Sequence, residues 1–213
     1  MKKVISLTLV LVMLCCMLTA CGSKEADALV GTWKTDMDVS DIITEAMGAD
    51  VAEFVTLEDV IFTMVMRFNS DGTYNVTLDE ASVDTALDNI LQAVKDGTYD
   101  MLEAQVAEMG LEMSVEEVLE LSGMDLETMM AELEAEMNLP ALAEEAISEI
   151  SSEGNFEAKD GKIFLSAGLE YKPDPACYEV YTLEGDVLTL KEYVGDDTSG
   201  FDGMYPLVFH KAG

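Results

Sequence analysis

The rhythm of turns constrains this chain more than any other feature. Eight strand-like runs, at 30–36, 58–68, 73–79, 155–159, 162–166, 177–183, 187–193 and 205–211, are joined alternately by tight and long connections. Asn69-Ser70-Asp71-Gly72, Lys159-Asp160-Gly161 and Leu183-Glu184-Gly185-Asp186 place glycine beside aspartate, which is hairpin chemistry. The connections 37–57, 80–154, 167–176 and 194–204 are long. In an antiparallel meander alternate connections lie at the same end. Every tight turn then falls at one end, and every long connection at the other. That is the anatomy of an up-and-down barrel with a closed end and an elaborated mouth. A Greek-key sandwich has no reason to alternate so regularly. The expected fold class is a β-dominated α+β protein: an eight-stranded antiparallel barrel with an acidic α-helical insertion between strands three and four.

Within the strands, Tyr74, Val76 and Leu78 alternate with polar neighbours, the period of a half-buried strand. Val60 to Met66 is apolar on both faces, so its outer side is expected to be covered. The insertion, 80–154, reads as short helices. Ser82 to Ala93 forms one, capped by Gly97; Ser114-Val115-Glu116-Glu117 opens another with a capping box and ends near Gly123. Asp125 to Met137 continues helically, and Pro140 begins a last run to Ile150. Between Asp79 and Glu153 stand 21 acids and one base, Lys95. Val115, Val118, Leu119, Met129, Leu133 and Met137 nevertheless keep an apolar stripe at helical spacing. Isolated short helices are marginal, so the stripe is expected to dock on the barrel mouth or on strand two. Met101, Met109, Met113, Met124, Met129, Met130 and Met137 crowd the same region, with Met64 and Met66 on strand two. They read either as a soft core or as an adaptable apolar surface.

The N-terminus carries a different message. Lys2 and Lys3 precede an almost unbroken apolar run, Val4 to Leu18, too short to span a bilayer. Leu18-Thr19-Ala20-Cys21 then resembles the lipobox of bacterial lipoproteins. The resemblance implies a signal peptide over 1–20, removal at Cys21, and a diacylglycerol on the Cys21 thiol. The partner expected from it is the lipid bilayer, and the location extracytoplasmic, at a bacterial cell membrane. Residues 21–27 would be a short tether, and 28–213 the barrel domain with its insertion at 80–154.

That division settles the cysteine arithmetic and the charge. By that resemblance Cys15 and Cys16 would leave with the signal and Cys21 would be acylated, so Cys177 would stand alone, in a strand-like run. A small apolar role suits it best. Removing Lys2 and Lys3 from the 11 basic residues leaves nine against 43 acids, a net −34. Such a chain repels phosphate backbones, so nucleic acid is excluded as a partner. Attachment to an anionic bilayer would rest on the lipid alone.

Gly31-Thr32-Trp33 at the start of strand one resembles the opening motif of lipocalins and bacterial lipocalin-like domains. Phe68 to Tyr74, Gly185 to Leu190 and Tyr205 to Phe209 resemble their hairpins and last strand. The resemblance covers 28–79 and 155–213; the acidic insertion departs from it. It implies a lipocalin-like barrel whose base is plugged by Trp33, with a basic residue of the last strand, Lys211 or secondarily His210, stacked above. It also implies non-enzymatic binding of a small apolar or amphipathic ligand. Alternation nominates Phe62, Met64, Met66, Tyr74, Val76, Tyr178 and Val180 as lining residues. In a second reading the insertion fills the barrel and presents an acidic face to a basic partner. No catalytic arrangement surrounds the sole histidine, His210, or Cys177, so no enzyme activity, metal or cofactor is expected. Asp196 to Gly203 offers oxygen ligands but lacks the spacing of a calcium loop and reads as a solvated loop.

Overall fold

The structure, a computed structural model, describes residues 24–110, 113–121, 123, 125–195 and 204–213. In chain order its elements are α1 (Lys24–Leu29), β1 (Gly31–Asp38), α2 (Ser40–Met47), α3 (Ala49–Ala52), β2 (Ile61–Phe68) and β3 (Thr73–Leu78). Then come α4 (Glu80–Glu108), α5 (Val115–Leu121), α6 (Leu126–Met137) and α7 (Leu139–Ile150). The chain closes with β4 (Ser152–Lys159), β5 (Lys162–Leu165), β6 (Tyr178–Glu184), β7 (Val187–Val194) and β8 (Leu207–Lys211). The eight strands form a closed antiparallel barrel in sequence order, and the helical insertion lies between β3 and β4. The described residues divide into two compact units. One takes in those up to Trp33, Met66–Asn75 and those from Ser152 onward; the other is Lys34–Val65 with Val76–Ser151.

The first unit holds all three tight turns. Asp160 and Gly161 both take positive φ, 56° and 72°, between paired Lys159 and Lys162, the two-residue turn that suits twisted strands. Gly185 takes φ 62° in the loop between Glu184 and Val187. At 69–72, Asn69 N–H donates to the Thr73 carbonyl at 2.8 Å and the Asp71 carboxylate accepts the Thr73 N–H at 3.0 Å. The barrel seam closes at the same end, where Ala212 N–H donates to the Thr32 carbonyl at 2.8 Å. Trp33, Phe68, Ile163, Leu188 and Phe209 are all but fully buried here, and the Phe68 and Phe156 rings meet at 4.7 Å in a tilted pair.

Two details of this unit differ from the reading of the residues. Within the segment read as a short tether, Lys24 onward is helical, as part of Lys24–Leu29. Its Glu25 carboxylate accepts the N–H groups of Asp160 and Gly161 at 3.2 and 3.1 Å, clasping the β4–β5 turn. Those bonds, that from Gly161 foremost, hold the Glu25 carboxyl below its ordinary range. Cys177 lies not in a strand but in the turn before β6, as a half-buried free thiol.

The second unit carries the helices α2 to α7. The insertion begins where Asp79 N–H donates to the Thr63 carbonyl at 2.8 Å, the Thr63 N–H donates to Ser82 Oγ at 2.9 Å, and Lys34 pairs with Asp79 at 2.8 Å. The capping box forms as read: Glu117 accepts the Ser114 N–H at 3.0 Å, and Ser114 Oγ accepts the Glu117 N–H at 3.3 Å. Asp125 caps α6 by accepting the Thr128 N–H at 2.8 Å. Asn138, at φ 47°, breaks α6 from α7. The apolar stripe finds its partner inside the unit: Val115 and Leu119 of α5 bury against Val106 of α4, with Val118 and Met129 packed around them. Leu133 and Met137 are half-buried. The outer side of β2 is less covered than expected, since Ile61 is 38% exposed and Val65 half-buried. Met101 and Met109 are exposed, and Met113, Met129, Met130 and Met137 half-buried, while Met64 and Met66 are buried. Met124 and the loop Asp196–Gly203 lie outside the described residues.

Gly97 does not end a helix; α4 runs straight through it. A Cβ at Gly97 would stand 2.6 Å from Val55 Cγ2 and 2.7 Å from the Phe54 carbonyl oxygen, so glycine is there to admit the 54–55 backbone. Elsewhere in a helix, Gly→Ala gains about 1 kcal/mol. Here Gly97→Ala is expected to lose about 1–3 kcal/mol through overpacking. Denaturant midpoints check this, and a stabilised variant would show that α4 and the 54–55 turn are not in contact.

Candidate functional site

Two features of the barrel bear on function, its base and a pocket bordered by β3, β5, β6 and β7; both belong to the first unit. At the base Trp33 is fully buried, and its indole N–H donates to the Leu29 carbonyl at 2.7 Å. The helix α1 thus supplies the acceptor that a buried indole requires. Lys211 sets its ammonium 5.1 Å from the centre of the Trp33 ring, within cation–π range. A Cβ at Gly31, where φ is 143°, would stand 2.8 Å from Lys211 Cε, so this glycine leaves room for the lysine stem. His210 pairs with Val187 on the outer face instead.

Strand register decides what faces the interior. Ala158 pairs with Ile163, Ile163 with Glu179, and Glu179 with Tyr193. Residues directly opposite share a face, and Ala158 and Ile163 are buried, so Glu179 and Tyr193 point inward. Lys162, Val180 and Glu192 pair across the same strands on the outside. Beyond them the ladder slips, with Val180 opposite Glu192 but Tyr181 opposite Leu190, which leaves Lys191 as the extra residue of a bulge. Past the bulge Tyr181 and Leu183 continue the inward face opposite Leu190 and Leu188.

Of the nominated lining residues, Met64, Met66, Tyr74 and Val76 are buried and Phe62 half-buried. Val180 falls on the outer face, one register step from the expectation, whereas Tyr178 is among the pocket's lining residues. The Tyr178 ring meets Phe164 at 5.6 Å and carries the Lys162 ammonium at 4.0 Å. The residue missed was Glu179. A glutamate in an alternating run reads as solvent-facing, and here the reading fails.

The pocket holds about 170 Å³ and is lined by Tyr74, Ile163, Leu165, Ser166, Ala167, Cys177, Tyr178, Glu179 and Tyr193. Its rim is a hydrogen-bonded knot. Tyr74 OH donates to the Ser166 carbonyl at 2.9 Å, Ser166 Oγ accepts the Asn155 N–H and donates to the Gly168 carbonyl, both at 2.8 Å, and the Asn155 amide donates to the Leu169 and Tyr171 carbonyls. Gly154 is required there, because a Cβ would collide with the Ser166 carbonyl and crowd the Tyr74 ring. Burial pushes the Tyr74 phenol above its ordinary value, keeping it a neutral donor.

Glu179 is the one carboxylate lining this pocket among the described residues. Tyr205 OH donates to both its oxygens at 2.9 Å. Burial raises the Glu179 carboxyl to about 7, against the opposing pull of the Tyr205 hydrogen bond. Lower in the same strand, burial and then the Glu25 charge push Tyr181 up to about 12.

The second unit offers a concavity of another kind. Between α4, α6 and the start of α7, an open groove of about 790 Å³ is lined by Leu87, Ala131, Ala135, Leu139 and Pro140, with Asp84, Asp88, Glu134 and Asn138 among them. Glu134 is already paired with Lys95 at 2.7 Å.

No protein-family model, no curated protein and no solved structure matches the chain.

Glu179 gives a pH test with a definite sign. Between about pH 4.5 and 7 the folded chain keeps a proton that the unfolded chain releases, so this group lowers stability as pH rises through that window. Below it the effect vanishes. Glu179→Gln is therefore expected to match the parent near pH 4.5 and exceed it by roughly 1–2 kcal/mol at pH 8, discounted for partial exposure. Paired denaturant titrations at the two pH values check this, and a pH-independent difference would mean Glu179 titrates as a surface group.

Proposed function

We propose that the protein is a lipid-anchored extracytoplasmic binding protein of a bacterial cell membrane, without catalytic activity, holding a small amphipathic molecule in a lipocalin-like barrel. The anchoring follows from Leu18-Thr19-Ala20-Cys21 behind an apolar run that begins with two lysines. The lipocalin-like reading is supported by the closed eight-stranded meander, by Gly31-Thr32-Trp33, and by Lys211 over the buried Trp33 ring. The observation that carries the binding role is the Glu179 pocket, a small cavity with an inward carboxyl. At about 170 Å³ it lies below the roughly 300–1,000 Å³ of ordinary ligand sites, so the ligand is small and not a long acyl chain.

The α1 helix sharpens the geometry of attachment. Only Gly22 and Ser23 separate Cys21 from Lys24, three Cα steps or at most about 11 Å. Glu25 fastens α1 to the β4–β5 turn, so the lipid would hold the tight-turn end of the barrel close to the bilayer.

The groove of the insertion supports a second reading, an interaction module for a basic partner. An apolar floor at Leu87, Ala131 and Ala135 beside Asp84 and Asp88 suits one face of a basic amphipathic helix. Such binding would weaken steeply with salt, whereas occupancy of the half-buried barrel pocket would be screened much less.

Mass spectrometry of the protein from its native membrane tests the main reading. The expected result is an acylated N-terminal Cys21 with a small molecule, not a fatty acid, released on denaturation. Cys21→Ser should yield a soluble folded domain; a variant that stays in the membrane fraction contradicts the anchoring.

A further inference from the structure

We infer that the pocket beside Glu179 receives a small organic ammonium ion, about the size of choline, with its charge against the carboxylate and its alkyl groups against tyrosine rings. This rests on the barrel-pocket reading above and names the ligand's class.

Charge comes first. None of the ion pairs among the described residues involves Glu179. Among the described residues its two oxygens accept the Tyr205 hydroxyl, although a carboxylate offers about four acceptor positions. A half-buried carboxylate without a cationic partner must take up a proton or find a cation. Its raised proton affinity is the first course. A ligand ammonium would supply the second. An anionic ligand would meet the opposite problem, since the other titratable side chains that line the pocket, Tyr74, Cys177, Tyr178 and Tyr193, carry no positive charge, and the Lys162 ammonium over the Tyr178 ring belongs to the outer face.

The wall and the volume narrow the class. Tyr193 stands opposite Glu179 on the neighbouring strand and Tyr74 lines the same pocket, and aromatic rings attract ammonium ions on their faces. Ile163 and Leu165 provide the apolar surface that alkyl substituents need. A cavity of about 170 Å³, below the roughly 300–1,000 Å³ of ordinary ligand sites, suits a compact ion and not a long chain. Choline, with seven non-hydrogen atoms including its quaternary nitrogen, is of that class. The chain's net charge of −32 raises the cation concentration around the whole molecule, so the test must resolve where the ligand sits.

Choline chloride is titrated into the full chain in a non-ionic detergent, at constant ionic strength set with sodium chloride, and followed by backbone amide shifts. The comparison probe is 3,3-dimethylbutan-1-ol, which replaces the quaternary nitrogen with carbon at nearly the same shape. Expected are saturable choline shifts at Ile163 to Ala167, Cys177 to Glu179 and Tyr193, with the neutral isostere at least about tenfold weaker. Glu179→Gln should lose choline by a similar factor while keeping its spectrum elsewhere. If the isostere binds as well as choline, the ammonium inference is overturned and the barrel-pocket reading stands. If neither probe moves the pocket amides, both fall. Shifts confined to the acidic helices, and unchanged in Glu179→Gln, would identify counter-ion binding and overturn the inference too.

Discussion

The seal at the barrel base is the constraint on which the rest depends. A closed sheet of eight strands encloses a space just wide enough for side chains to fill, and here the lower part is filled by Trp33, Phe68, Phe209, Leu188 and Ile163. Trp33 can occupy that position because the carbonyl of Leu29, at the end of α1, satisfies its N–H. Lys211 covers its ring, and the Thr32–Ala212 hydrogen bond closes the seam beside it. With the base packed, the first unit keeps a pocket toward Tyr74, Ser166 and Tyr193. Glu179 lies there, away from the wet tight turns, and its raised carboxyl follows from that placement.

Much of this architecture was legible in the residues. Strand positions followed from alternation and from glycine–aspartate turns, because both signals report local backbone geometry that tertiary context rarely overrides. The insertion was placed correctly between β3 and β4, and its capping box at Ser114 formed as read. Two kinds of feature stayed hidden. Gly97 has the sequence appearance of a helix stop, but its role depends on the approach of Phe54 and Val55, some 40 residues earlier in the chain. The short helices α1, α2 and α3 were missed because six, eight and four residues carry too little periodicity to register.

The inward face of β6 was misread for a chemical reason. Tyr178, Val180 and Thr182 make an apolar-looking alternation, and the competing set begins with a glutamate. Counting back from the Gly185 turn through Leu183 and Tyr181 would have selected the correct face, Glu179 included. The preference for apolar residues inside is strong, yet it fails where a site is built. The candidate site is thus the place where the pattern and the fold disagree.

A single tryptophan makes the central claim directly measurable, since Trp33 is the chain's only one. Its fluorescence in the native protein should be blue-shifted and resistant to acrylamide, with quenching appearing only as the barrel unfolds. Native emission typical of water-exposed indole, open to acrylamide, would mean that the base is not sealed and would contradict the account from its foundation.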